Sequence, residues 1–175
     1  MKRSEKMNTW RNNKGFTMLE MMIIAVVVGI IATLTIPSFG KVMDRLKLKT
    51  AGRDVVSSMR LARSTAVSQK DQFGVYFNHS SSTFLIFKDI VNPSSFTFDL
   101  GADSVIQIKN LPENIHFGYT NIPGPAIIFK PNGSSYTSGQ VYLSSYGQYD
   151  GYLTVDVLGS TGRVKLILGE AYPDN

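Results

Sequence analysis

From Phe16 to Ile36 the chain runs for about 21 residues with Glu20 as its only charge. Wound as a helix at about 1.5 Å per residue, such a run is roughly 30 Å long, the thickness of a bilayer's hydrocarbon core. A cleavable secretory signal carries only about 7–15 apolar residues before a small-residue cleavage site. Here Ile36-Pro37-Ser38 follows, which offers no such site. A plain signal anchor accounts for everything except Glu20, because a carboxylate in a membrane helix costs a few kcal/mol, less near the interface. That cost asks for a partner. Lys41, Arg45, Lys47 and Lys49 crowd the far end of the run, so charge counts alone do not orient it.

The 175 residues carry a formal net charge of +5, which invites a nucleic-acid reading. Location removes most of that invitation. Lys2, Arg3, Lys6, Arg11 and Lys14 against Glu5 put a net of about +4 into the first 15 residues, so a chain starting at Phe16 is close to neutral. Within it, residues 16–71 hold an excess of about four positive charges and the remainder about three negative ones. That layout suits contacts between the stalk of one copy and the head of another, and equally a solvated helix face. Cysteine is absent, so neither disulfides nor thiolate chemistry are available and stability must come from packing. At 43% hydrophobic and 18% charged, the composition is that of a folded protein.

Lys14-Gly15-Phe16-Thr17-Met18-Leu19-Glu20, followed by the apolar run and Pro37, resembles the processing motif of type IV prepilins and type II secretion pseudopilins. The resemblance implies that a membrane prepilin peptidase cuts after Gly15 and N-methylates the new first residue, Phe16. Cleavage would leave an α-amino cation at Phe16 in or near lipid, and Glu20 is the anion able to pair with it. In this family the carboxylate is thought to meet the amine of a neighbouring subunit, making Glu20, with Pro37 farther along, an assembly residue. Glycine before the cut presents no Cβ to a protease cleft. The N-terminus is taken as cytoplasmic on the same grounds, which places the protein in the inner membrane as a single-pass chain with its head in the periplasm.

Beyond the run a helical period continues. Leu48, Ala51, Val55, Met59, Ala62 and Ala66 recur at three- and four-residue steps, with Lys49, Arg53, Arg60 and Arg63 on other faces. One helix from about Phe16 to about Gln69 would be on the order of 80 Å long, weakened in its middle by Gly29, Thr33, Thr35 and Pro37. Strands are expected at Phe73–Phe77 and Thr83–Lys88, a hairpin closed by Asn78-His79-Ser80-Ser81-Ser82. Further strands are expected at Phe96–Leu100, Val105–Lys109, Ile115–Tyr119, Ala126–Phe129, Val141–Ser144, Tyr152–Val157 and Arg163–Leu168, separated by Gly, Pro, Asn and Ser clusters. The fold class is therefore α+β: a long N-terminal helix, membrane-spanning in its first half, packed on an antiparallel β head. The expected organisation is a leader over 1–15, an assembly helix over 16–37, an amphipathic continuation over 38–70 and a β-rich head over 71–175.

Ser57-Ser58-Met59-Arg60-Leu61-Ala62-Arg63-Ser64-Thr65-Ala66, the early hairpin, Phe129-Lys130-Pro131-Asn132-Gly133 and Gly162-Arg163-Val164 look like the GspH/FimT class of minor pseudopilins and minor pilins. Membership implies a pilin-like fold, no enzymatic activity, no cofactor, and assembly with other minor and major (pseudo)pilins near a filament tip. Type II secretion pseudopilus and type IV pilus both remain open. Some members of the class are associated with DNA uptake through a Gly-Arg-x-Arg motif near the C-terminus. The corresponding stretch here is Gly162-Arg163-Val164-Lys165, whose lysine keeps the charge and loses the bidentate fork. Arg163 and Lys165 are thus the candidate contacts for nucleic acid as an alternative partner, opposed by Glu170 and Asp174.

Catalytic chemistry finds no foothold. His79 falls in an expected turn and His116 in an expected strand, where a lone imidazole is a polar surface or satisfied residue rather than a base. Asp150 and Asp156 are two oxygens' worth of a calcium loop that needs about six to eight, so no metal is assigned. Gly133, Gly139, Gly147 and Gly151 form no phosphate-cradling motif. Tyr136, Tyr142, Tyr146, Tyr149 and Tyr152 are either a recognition surface or alternating faces of strands with some of them buried.

Overall fold

The computed structural model describes residues 15–91, 95, 97–147 and 149–169, with the side chains at 34–38 and 119 outside that description. The expected leader, up to residue 14, and the side chain of Pro37 therefore lie outside the described residues. The chain divides into two compact units, one up to Ser38 and one from Phe39 onward. Helix α1 (Met18–Gln69) supplies the helical residues of both.

In the first unit the described side chains of α1 are exposed on every face, among them Leu19 at 70%, Ile23 at 57% and Ile31 at 59%. Thr33 returns its hydroxyl to the Gly29 carbonyl at 2.6 Å, so this polar group is satisfied inside the helix.

In the second unit the helix becomes one-sided. Leu48, Ala51, Val55, Met59, Ala62 and Ala66 are buried, as their spacing requires, and form the spine of the main core. Small residues here bring the helix close to the sheets: a Cβ on Gly52 would lie 3.0 Å from a methyl carbon of Leu166. The helix ends at a left-handed residue, Lys70 (φ 57°), with the Asp71 N–H donating to Ala66 O at 3.3 Å.

Eight strands follow: β1 (Phe73–Asn78), β2 (Thr83–Lys88), β3 (Ser104–Asn110), β4 (Ile115–Thr120), β5 (Ala126–Phe129), β6 (Gly139–Tyr146), β7 (Asp150–Leu158) and β8 (Arg163–Leu168). They make two antiparallel sheets, ordered β3-β2-β1-β5 and β4-β6-β7-β8. Alternation sorts their side chains: Phe73, Val75 and Phe77 of β1 enter the main core with Leu153, Val155 and Val157 of β7. The unbroken apolar run of β5 is explained by burial on both sides, Ile127 and Phe129 in the main core, Ala126 and Ile128 in a smaller cluster with Phe87. Phe117 of β4 meets Phe77 and Phe84 edge-on, with ring centroids 5.4 and 6.3 Å apart, and so joins the two sheets.

The strand expected at Phe96–Leu100 is absent among the described residues there. Phe98 instead anchors a loop, its ring 4.8 Å from both Tyr76 and Phe87 on the outer face of the first sheet. The loop's backbone is held by one side chain. Asp103 accepts from the N–H groups of Ile90 and Val91 at 2.9 and 3.2 Å and from that of Asp99 at 2.9 Å.

Candidate functional site

Gly15 and Phe16 stand exposed just ahead of the helix, and nothing lies within 4 Å of where a Cβ on Gly15 would point. Thr17 is the cap. Its hydroxyl accepts the Glu20 N–H at 3.2 Å, and its carbonyl accepts the Met21 N–H at 3.2 Å. Thr17-x-x-Glu20 is thus an N-terminal capping sequence, and Glu20 sits in the first turn, where a negative charge is favoured by the helix dipole. The motif read from the sequence as a processing signal also starts the helix, a role for Thr17 that the residue pattern Thr-x-x-Glu could have revealed on its own. A cut after Gly15 leaves Phe16 as the residue immediately before the cap.

Among the described residues no helix is long and apolar enough to cross a membrane.

In the head, three of the four stretches that carried the family resemblance converge. Arg63 Nε donates to the Gly133 carbonyl at 2.8 Å, and Arg60 Nη2 reaches the Val164 carbonyl at 3.4 Å. Gly162, at φ +62°, packs against that same Gly133 carbonyl and against Arg63, leaving no space for a Cβ. These residues lock helix, β5–β6 turn and β7–β8 turn together, so the resemblance marks a structural knot.

Arg163 and Lys165 are both exposed, alternating along β8 with the inward-facing Val164 and Leu166. Lys165 pairs across the strands with Asp156 of β7, which places an acid beside one of the two cations. Asp150 and Asp156 lie on one strand, six residues and therefore about 20 Å apart, and no group of three or more metal-binding side chains occurs among the described residues. His116 Nδ1 lies 2.8 Å from Ser82 Oγ, and His79 packs beside Phe117. The tyrosines divide: Tyr142 is buried, Tyr149 and Tyr136 pack against the two cores, and Tyr146 is 71% exposed. Tyr142 and Tyr152 place their rings 6.4 Å apart on neighbouring strands.

Asp89 is the perturbed group of the head. Burial, reinforced by Asp103, Asp99 and Asp71, pushes its carboxyl up to about 6. At the helix end Asp71 is held below the usual carboxylate range chiefly by its bond to Lys88 Nζ, 2.7 Å away.

A capped helix that continues to close two antiparallel sheets defines a pilin-like α+β protein, and comparison with known proteins agrees. Residues 10–36 match the prokaryotic N-terminal methylation motif. The chain belongs to the type II transport protein GspH family, whose model matches residues 51–161. Among solved structures, the type IV minor pilin FimU of Pseudomonas aeruginosa aligns with a TM-score of 0.54 at 17% identity, covering 70% of this chain and 90% of that one. The minor pseudopilin EpsH of the Vibrio cholerae type 2 secretion system gives 0.51 at 16% identity, covering 70% and 97%. At such identities these likenesses establish the fold. The type IV major pilin protein PilA of Myxococcus xanthus is 33% identical over 66 residues, 38% of this chain and 30% of the relative's length.

Proposed function

We propose that this chain is a non-catalytic minor subunit of a type II secretion pseudopilus or type IV pilus, made as a precursor and trimmed by a prepilin peptidase between Gly15 and Phe16. In this reading Phe16 is N-methylated, residues 16–36 hold the protein in the inner membrane, and the head projects into the periplasm until the subunit enters a filament near its tip. One observation carries it: the start of α1 is capped and apolar on every described face, with exposed side chains and Glu20 as its single acid. Apolar faces exposed in this way need lipid or sister helices, and packing of small and apolar side chains supplies cohesion in both. Glu20 fixes register by pairing with the Phe16 amine of a neighbour.

Glu20→Val tests this. The variant is expected to insert into the membrane as the parent does and to lose cross-links to other filament subunits. Cross-linking yields equal to the parent's would overturn the role of Glu20.

A second reading, nucleic-acid capture through Arg163 and Lys165, is supported by their shared exposed face on β8 and opposed by Asp156 beside Lys165. A gel shift with Arg163 and Lys165 changed to Ala checks it. Loss of a salt-sensitive shift would favour capture.

A further inference from the structure

The flank of α1 that faces away from the first sheet carries Arg45, Lys49 and Arg53 at four-residue steps, then Arg60 and Arg63, so the five cations recur along one side of the helix. They lie against β8, the last strand of its sheet, whose outer edge has no strand beside it among the described residues. Three successive hollows trace the seam. Arg45 and Lys49 line the first with Leu168, and Arg53 and Arg60 line the second with Leu166. Arg60 and Arg63 line the third with Ser64. Helix and strand therefore run antiparallel along a groove with a cationic wall, an apolar floor and a backbone edge on which Arg60 reaches the Val164 carbonyl at 3.4 Å.

We propose that this groove is a docking site for an acidic extended segment of a partner polypeptide, which adds as a strand along the edge of β8 and takes over the Val164 carbonyl from Arg60. Charge complementarity identifies the occupant. Asp150, at the end where Arg45 lies, is the one carboxylate among the described residues lining these hollows. On the opposite face of the same strand Arg163 and Lys165 are exposed, with Asp156 of β7 beside Lys165, so cations stand on both sides of the edge. Bracketing of this kind blocks pairing with the same edge of a second copy, because it sets cations against cations, and it leaves the edge open to a strand bearing carboxylates. Main-chain hydrogen bonds along an edge supply affinity and the flanking side chains supply selectivity. Ile167 and Leu168, 37% and 60% exposed, would be covered by the incoming strand. The proposal deepens the reading of the chain as a filament subunit by naming the chemistry of one neighbour's contact.

The test uses the full-length protein in detergent and a labelled synthetic peptide alternating Glu with Val, followed by fluorescence anisotropy. Companion probes are the same peptide with Lys for Glu, two versions N-methylated on alternate residues, and single-stranded DNA. The acidic peptide is expected to bind and the lysine peptide not to. One N-methylated version, which removes the amides facing β8, should bind about tenfold more weakly. Lys49→Gln with Arg53→Gln should also weaken binding about tenfold. Neither residue makes a hydrogen bond or ion pair among the described residues, so the helix content measured by circular dichroism should not change. Failure of the acidic peptide to bind, or equal binding by both N-methylated versions, would overturn the proposal. Tighter binding of single-stranded DNA than of the acidic peptide would overturn it too, by assigning the groove to nucleic acid. The same double variant should leave trimming after Gly15 untouched, so the docking proposal can fail while the filament reading stands.

Discussion

The two halves of α1 use the same kinds of residue to opposite ends. From Met18 to Thr33 apolar side chains point in every direction and stay exposed, whereas from Leu48 to Ala66 they keep to one stripe and are buried against two sheets. A helix that is apolar all round is built for a surrounding it does not carry with it, and a striped helix is built for a core it helps make. The division teaches that the head's stability and the proposed assembly role of the spine answer to different residues. Substitutions should therefore affect one and spare the other.

The largest separation is expected from Gly162→Ala. The new methyl meets the Gly133 carbonyl at a left-handed backbone position, which should destabilise the head by about 3 kcal/mol. The urea unfolding midpoint of the head should drop accordingly, while cleavage after Gly15 is unchanged. An unchanged midpoint would mean that the Arg63 knot does not hold the head together.

Next in size is a pH effect confined to the head. Asp89 has its carboxyl raised to about 6, above its value in the unfolded chain, so the folded state binds the extra proton between those values. Stability from this group is present below about pH 4 and is lost as pH rises through about 6, with an upper bound of about 3 kcal/mol. Asp89→Asn should flatten that slope in denaturant titrations at several pH values. A slope that survives in Asp89→Asn would place its origin elsewhere.

The smallest effect belongs to the spine. Thr17→Ala removes the cap on the Glu20 N–H and should cost about 1 kcal/mol of local helix stability, read as fraying of residues 18–21 by amide exchange in micelles. The head's unfolding midpoint should not move.

Most of this division could be read from residue order alone. The stripe from Leu48 to Ala66 obeys the helical period, and the eight strands show themselves through β-branched and aromatic runs between turn formers. Phe96–Leu100 misled for a physical reason: Phe98 supplies the aromatic signal of a strand, but its ring serves as an anchor, and the Asp99 N–H donates to the Asp103 carboxylate rather than to a neighbouring strand. Strand β6 begins at Gly139 and β7 at Asp150, earlier than expected, because backbone pairing extends into residues whose side chains favour turns. The convergence of Arg60, Arg63, Gly133 and Gly162 joins residues about 70 to 100 positions apart, a distance across which periodicity carries no information. Thr17 was legible as a cap and was eclipsed by the motif in which it sits.

The most direct test of the account is the mass of the amino-terminal peptide from membrane-extracted protein. A product beginning at methylated Phe16 is expected. A product that begins only at Met1, with no shortened species, would contradict it.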